Sequence, residues 1–171
     1  MVKSPVQYLV EAGRTLAVSI PPGRTLINIY RQMGQLPFYP PNVKGWDGGK
    51  SWINTATLTF RYQLARQLVA GMRVSNQPRP VGTPATVNVA DQPNTIQLAA
   101  LPVAQLITEE DRTNPQAMLE KVYARLFPTN RDQELFERFL AVIKPKPLPL
   151  SDDAIRELVT LMMMTPNYQV C

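Results

Sequence analysis

The sequence predicts an all-α fold, a bundle of about six helices with a long ordered loop rich in proline, glycine and tryptophan and an irregular proline-rich connector. Three observations carry this expectation. Six segments repeat apolar residues at the i, i+3, i+4, i+7 spacing of an amphipathic helix. Capping residues or proline mark several of their starts, and glycine or proline several of their ends. The chain is 44% hydrophobic, yet no apolar run approaches the roughly 18 to 20 residues of a membrane span.

The first helix opens with Ser4 as N-cap and Pro5 at the first helical position, with Val6, Leu9, Val10, Leu16 and Ala17 on its buried side, and ends near Ser19 before Pro21 and Pro22. A second runs from Gly23 to Met33. It places Leu26, Ile29, Tyr30 and Met33 on one stripe, Arg24 and Arg31 on the outer face, and Gly34 as its C-terminal cap. The third starts at Asn54 or Thr55 and reaches Ala70, stacking Phe60, Leu64 and Leu68, with Gly71 closing it. Its alternating threonines allow a strand, but its length and its Arg- and Gln-rich second half decide for helix.

From residue 72 to 113 the rhythm lapses. The stretch from Arg73 to Gln105 holds five prolines in 33 residues, the composition of an irregular connector, with one helical turn expected at Thr95 to Leu101. Asn114 then caps a fourth helix with Pro115 in its first turn and Leu119, Val122, Tyr123 and Leu126 inward. A fifth begins at Asn130, with Phe136, Phe139, Leu140 and Ile143 inward and Asp132, Glu134 and Glu137 near its positive end. The sixth has Ser151 as cap, buries Ile155, Leu158, Val159 and Met162, and stops at Pro166; the run Leu161 to Met164 serves as adaptable core. The expected organisation is an N-terminal helical unit over residues 1–71, a linker or insertion over 72–113 and a three-helix unit over 114–171, together forming one compact domain.

Composition excludes much chemistry. Histidine is absent and Cys171 is the sole cysteine. The usual zinc, haem and Ser-His-Asp centres lose a member, and no metal, cofactor or catalytic set is expected. Residues 1–80 carry ten Lys/Arg against two acids, and residues 81–171 carry eight against eleven. The cations lie at helical intervals rather than in a run. Nucleic acid is therefore disfavoured, and an acidic second half or another neighbour accounts for the excess.

Residues 35–53 are nineteen positions without a period, too long for a passive connection between helices. Pro40 and Pro41 impose extended backbone, Asp47, Gly48 and Gly49 offer a tight turn, and Trp46 and Trp52 flank it. Burial of both indoles contributes at most roughly 5 to 10 kcal/mol, whereas ordering the backbone costs about 1 to 2 kcal/mol per residue. The loop is therefore expected to dock further through Phe38 and Tyr39, with both tryptophans as buried anchors. The run Gly45 to Ser51 resembles a phosphate-binding loop, but three residues separate its glycines where four are required, and no apolar strand precedes it. The competing functional reading makes Trp46, Asp47, Lys50, Trp52, Asn54 and Arg61 a surface for a sugar or polyanion. A catalytic Asp47 is the weakest reading, because no second carboxylate lies nearby in sequence.

Three stretches resemble a known family. Lys3, Ser4 and Pro5 match its opening helix, and Gly34, Gln35, Phe38, Pro40, Pro41, Gly45, Trp46, Gly49, Trp52 and Arg61 match its proline-tryptophan loop and the arginine beyond. Thr165, Pro166, Asn167, Tyr168 and Gln169 match its closing segment more loosely. The chain thus resembles the C-terminal portion of the bacterial domain-of-unknown-function 1800 family. The resemblance implies a mostly helical fold and, despite the absence of a signal peptide here, an exported or periplasmic setting. It implies no established activity, and since family members are longer it leads to the expectation that this chain is a fragment, a truncated gene product or a split unit. The expected function is a structural or protein-interaction module, its partner the missing N-terminal part or another protein; a carbohydrate- or polyanion-binding surface is the alternative.

Overall fold

The computed structural model describes residues 1–75, 95–128 and 132–170. Within them lie six α-helices: α1 (Pro5–Leu16), α2 (Gly23–Gln32), α3 (Thr55–Ala70), α4 (Pro115–Leu126), α5 (Gln133–Ile143) and α6 (Asp152–Met163). The fold is predominantly helical, as the periodicity requires. Much of the connector, Asn130 and Cys171 lie outside the described residues.

Local chemistry explains the boundaries. Ser4 accepts from the Gln7 amide while the Gln7 side chain accepts from the Ser4 amide, a reciprocal capping box in front of Pro5. Asn54 and Thr57 form the same device at α3, and the Asn114, Asp132 and Ser151 side chains each cap the helix that follows. Asp132 is thus the cap in front of Gln133, where α5 starts. At the end of α2, Gly34 donates to the Arg31 carbonyl and Gln35 to the Tyr30 carbonyl. This is a Schellman turn, and it needs the positive φ of 87° that Gly34 supplies.

One continuous apolar cluster runs from Tyr8 to Tyr168 and draws on α1 to α6. Helix α3 packs on α6, α4 on α5 and α1, and α5 on α6. Leu64, Leu119, Ile155, Val159, Met162 and Met163 are fully buried at its centre, each such side chain contributing about 1.5 to 3 kcal/mol relative to exposure. Of the run expected as adaptable core, Leu161 is instead exposed, on the outer face of α6.

Two further sequence expectations are corrected. The buried face of α1 is Pro5, Tyr8, Leu9, Ala12 and Leu16, while Val6 is only half-buried and Val10 and Ala17 are exposed. The helix turns inward on Tyr8, an amphipathic residue that apolar counting undervalues, and it ends at Leu16 because Ala17 takes left-handed backbone at φ 53°. Thr95–Gln97 is not a helical turn but a strand, β2, pairing antiparallel with β1 (Arg73–Ser75). The helical turn instead spans Val103–Gln105. Leu101, Val103, Leu106 and Ile107 are buried in the main cluster, which ties this side of the connector to α6. Gly71 lets β1 leave α3: its φ is 86°, and an added Cβ would stand 2.9 Å from the Ala100 nitrogen and the Leu98 oxygen.

At the end of this connector, just before α4, Asp111 is a buried carboxylate. It accepts from the Lys121 ammonium at 2.7 Å and from the amide and hydroxyl of Thr108 at 2.7 and 2.8 Å. These bonds, that from Lys121 foremost, hold its pKa at about 2. An unfolded aspartate titrates near 4, so the stabilisation is complete above that value and is lost as pH falls toward 2. Asp111→Asn should lower the urea midpoint at neutral pH, and its gap to the parent should close between about pH 4 and pH 2. A gap that stays constant across that range would contradict the assignment.

Candidate functional site

The loop over residues 35–53 is shaped by short-range hydrogen bonds. The Tyr39 amide donates to the Leu36 carbonyl at 3.0 Å and the Gly45 amide to the Asn42 carbonyl at 3.0 Å. Asn42 Oδ1 accepts from the Lys44 amide at 2.9 Å, and Ser51 Oγ donates to the Gly48 carbonyl at 2.7 Å. Gly45, Gly48 and Gly49 all adopt positive φ, and Gly49–Trp52 forms a single 3-10 turn. Gln35 anchors the start of the loop, its Oε1 accepting from the Val6 amide of α1 at 3.3 Å. That amide lies in the first turn of α1, where no intrahelical partner exists.

The loop does not bury what the sequence suggested. Phe38 and Val43 are fully exposed and Tyr39 is largely so, which corrects the expectation that Phe38 and Tyr39 dock on the helices. Pro40 and Pro41 are exposed as well. Trp52 is buried, at 8% exposure, but lies outside the main apolar cluster, and its carbonyl accepts from the Thr57 hydroxyl at 3.1 Å. Trp46 is only half-buried, so the two indoles are not a matched pair of anchors. The physical reason is spacing: each ring lies on its own side of the Gly48 and Gly49 turn, and only Trp52 is carried inward by the 3-10 turn into α3.

The half-exposed face of Trp46 lines an open depression of about 580 Å³ with Arg31, Gly34, Leu36, Tyr39 and Pro41. Asp47 is exposed and ion-paired to Lys44 at 3.0 Å, Lys50 is exposed, and the Asn54 side chain is occupied by its cap. Of the sequence candidates, Trp46, Gly34 and Pro41 meet at the depression. Tyr39, Leu36 and Arg31 complete it, and Arg31 was legible as an outward-facing residue of α2. Val43 was missed. Its signal was an apolar residue between prolines and glycine that no helical period could bury.

Arg61 is elsewhere, at 0% exposure under α1. Its Nη2 donates to the Lys3 carbonyl at 2.8 Å and its Nη1 to Gln169 Oε1 at 3.2 Å. The guanidinium lies 5.2 Å from the centre of the Tyr8 ring, and the Tyr8 hydroxyl donates to the Arg61 carbonyl at 3.2 Å. Burial lowers the Arg61 pKa and raises that of Tyr8, the Arg61 charge opposing the latter. Lys3 is buried beside it, paired with Glu11 at 2.7 Å and 4.0 Å above the Tyr168 ring. Burial also raises the Tyr168 pKa. Thr15 approaches the Tyr168 hydroxyl without reaching hydrogen-bonding geometry, and Arg61 Nε likewise has no partner among the described residues.

This cluster brings the opening, middle and closing stretches of the sequence pattern together in space. The Lys3 amide donates to the Gln169 carbonyl at 2.9 Å, Val2 and Val170 form a β-bridge, and Gln169 Nε2 donates to the Met163 carbonyl at 2.9 Å. Removing the guanidinium strands two buried acceptors, each costing about 1 to 3 kcal/mol. Arg61→Ala should therefore destabilise by roughly 3 kcal/mol or more, whereas Arg66→Ala, on the exposed face of α3, should stay within about 0.5 kcal/mol. Chemical denaturation checks the pair, and equal effects would contradict the role given to Arg61.

Among the described residues no group of three or more metal-binding side chains occurs, and no helix is long and apolar enough to cross a membrane. No curated protein and no solved structure matches the chain. A family model described as a protein of unknown function, DUF1800, matches residues 1–170, and with the Lys3, Arg61 and Gln169 cluster joining its separated stretches, the chain belongs to the DUF1800 family.

Proposed function

We propose that this protein is an interaction module whose proline-tryptophan loop is the contact surface for another polypeptide, either a further segment of the family domain or a separate protein. The observation that carries the reading is Phe38, a fully exposed aromatic at φ 64°. Left-handed backbone at a bulky residue costs on the order of 1 to 3 kcal/mol, and within this chain Phe38 gains no burial in return. Val43 and Tyr39 are exposed on the same loop, and Ile27 on the adjoining α2, a helix that buries only Ile29 along its length. Large apolar groups collected on one surface segment mark a contact site. An exported setting, as the resemblance implies, belongs to this reading.

A second reading is favoured by one feature. Tyr39, Trp46 and Arg31 line one open depression, a combination that suits a sugar or an anionic glycan. Trp46 emission should shift on titration with a glycan panel or heparin if that reading holds.

The leading reading is tested by placing a photoreactive benzoylphenylalanine at Phe38 in cells of the source organism, with Ala141, exposed on α5, as the control position. Irradiation should give one dominant protein adduct from position 38, abolished by Val43→Asp without a change in melting temperature. The same adduct pattern from both positions would remove the basis for a contact surface.

A further inference from the structure

The surface formed by α2 and the loop has a charge as well as an apolar character. Residues 23–53 carry Arg24, Arg31, Lys44 and Lys50 against Asp47 alone, a net charge of +3. Lys44 already holds Asp47. Arg24, Arg31 and Lys50 are exposed and form no ion pair among the described residues. Arg31 donates from Nη1 to Asn28 Oδ1 at 3.2 Å, and its other guanidinium nitrogens have no hydrogen-bond acceptor among the described residues. It stands at the depression lined by Leu36, Tyr39, Pro41 and Trp46.

Resting on the contact-surface reading, we infer that the occupant is an acidic polypeptide segment with apolar anchors. An anchor side chain seats between Tyr39, Pro41 and Trp46, and a neighbouring carboxylate takes the free edge of Arg31 in a bidentate pair. Charge complementarity selects this occupant over a two-fold second copy, whose identical patch would set +3 against +3. The aliphatic groups decide against the other anions. Leu36 and Pro41 in the depression offer nothing to a phosphate backbone, which binds through a denser array of cations, and an anionic sugar leaves the exposed Phe38 and Val43 of the same loop uncovered. An extended peptide presents side chains to alternating sides, so it can fill the depression and reach Arg31 from one strand.

A random dodecapeptide display library panned on the full chain tests this, with Arg31→Glu and Trp46→Ser as counter-selections. Heparin hexasaccharide and oligothymidylate are titrated in parallel by Trp emission. Enriched peptides should combine Asp or Glu with Leu, Phe or Pro. They should weaken about tenfold or more on Arg31→Glu and less on Arg31→Gln, and they should weaken as salt rises. Enrichment without acidic bias, or peptides indifferent to Arg31→Glu, overturns the inference. So does binding of heparin or oligothymidylate in the absence of acidic peptides, or concentration-dependent dimerisation abolished by Phe38→Asp. If position 38 still crosslinks to one protein while the library shows no acidic preference, the contact surface stands and the acidic occupant falls.

Discussion

The guanidinium of Arg61, buried with two neutral oxygens rather than a carboxylate as its hydrogen-bond partners, holds both ends of the fold against α3. Removing a charge from water costs several kcal/mol, and here two charge-assisted hydrogen bonds and the face of Tyr8 offset it. The acceptors are informative. One is the Lys3 carbonyl just before α1 and the other the Gln169 side chain just after α6, so a single residue closes a loop of more than 160 positions. Lysine in its place would be a poor substitute, since one ammonium lacks the planar fork that reaches both oxygens.

This clasp fixes α1, and α1 fixes the loop. The Val6 amide in the first turn of α1 donates to Gln35, the residue that follows the Schellman glycine of α2. At the other end, the Asn54 and Thr57 capping box and the Trp52 carbonyl bind the loop to the start of α3. Between these two tethers the chain is shaped by glycines and local turns rather than by burial, and it can therefore display Phe38, Tyr39 and Val43 outward without loosening the helical core. The core and the proposed contact surface are in this sense separate constructions joined at Gln35 and Trp52.

The helices were legible in the sequence because their signals are local. Ser4, Asn114 and Ser151 cap through atoms within three residues of themselves, and the α4 and α6 stripes follow from the helical repeat alone. Where local pattern and structure differ, a non-local partner decides. Tyr8 turned α1 because its hydroxyl meets Arg61, and residues 95–97 became extended because they pair with residues 73–75. The glycines and prolines mark the loop as shaped, but composition points its aromatics inward, since tryptophan and phenylalanine are mostly buried and nothing in a one-dimensional pattern says on which side of a turn a ring emerges.

The sequence by itself determined the helical class, the caps, the family pattern and the absence of histidine chemistry, all properties of residue identity and short spacing. Only the tertiary structure decided that Arg61 is an internal clasp while Arg31 is a surface group, although both are arginines on helices with apolar neighbours. It likewise separated Trp52 from Trp46. Burial of a side chain is fixed by what the rest of the chain packs over it, and that covering comes from distant segments, 108 positions away in the case of Arg61 and Gln169.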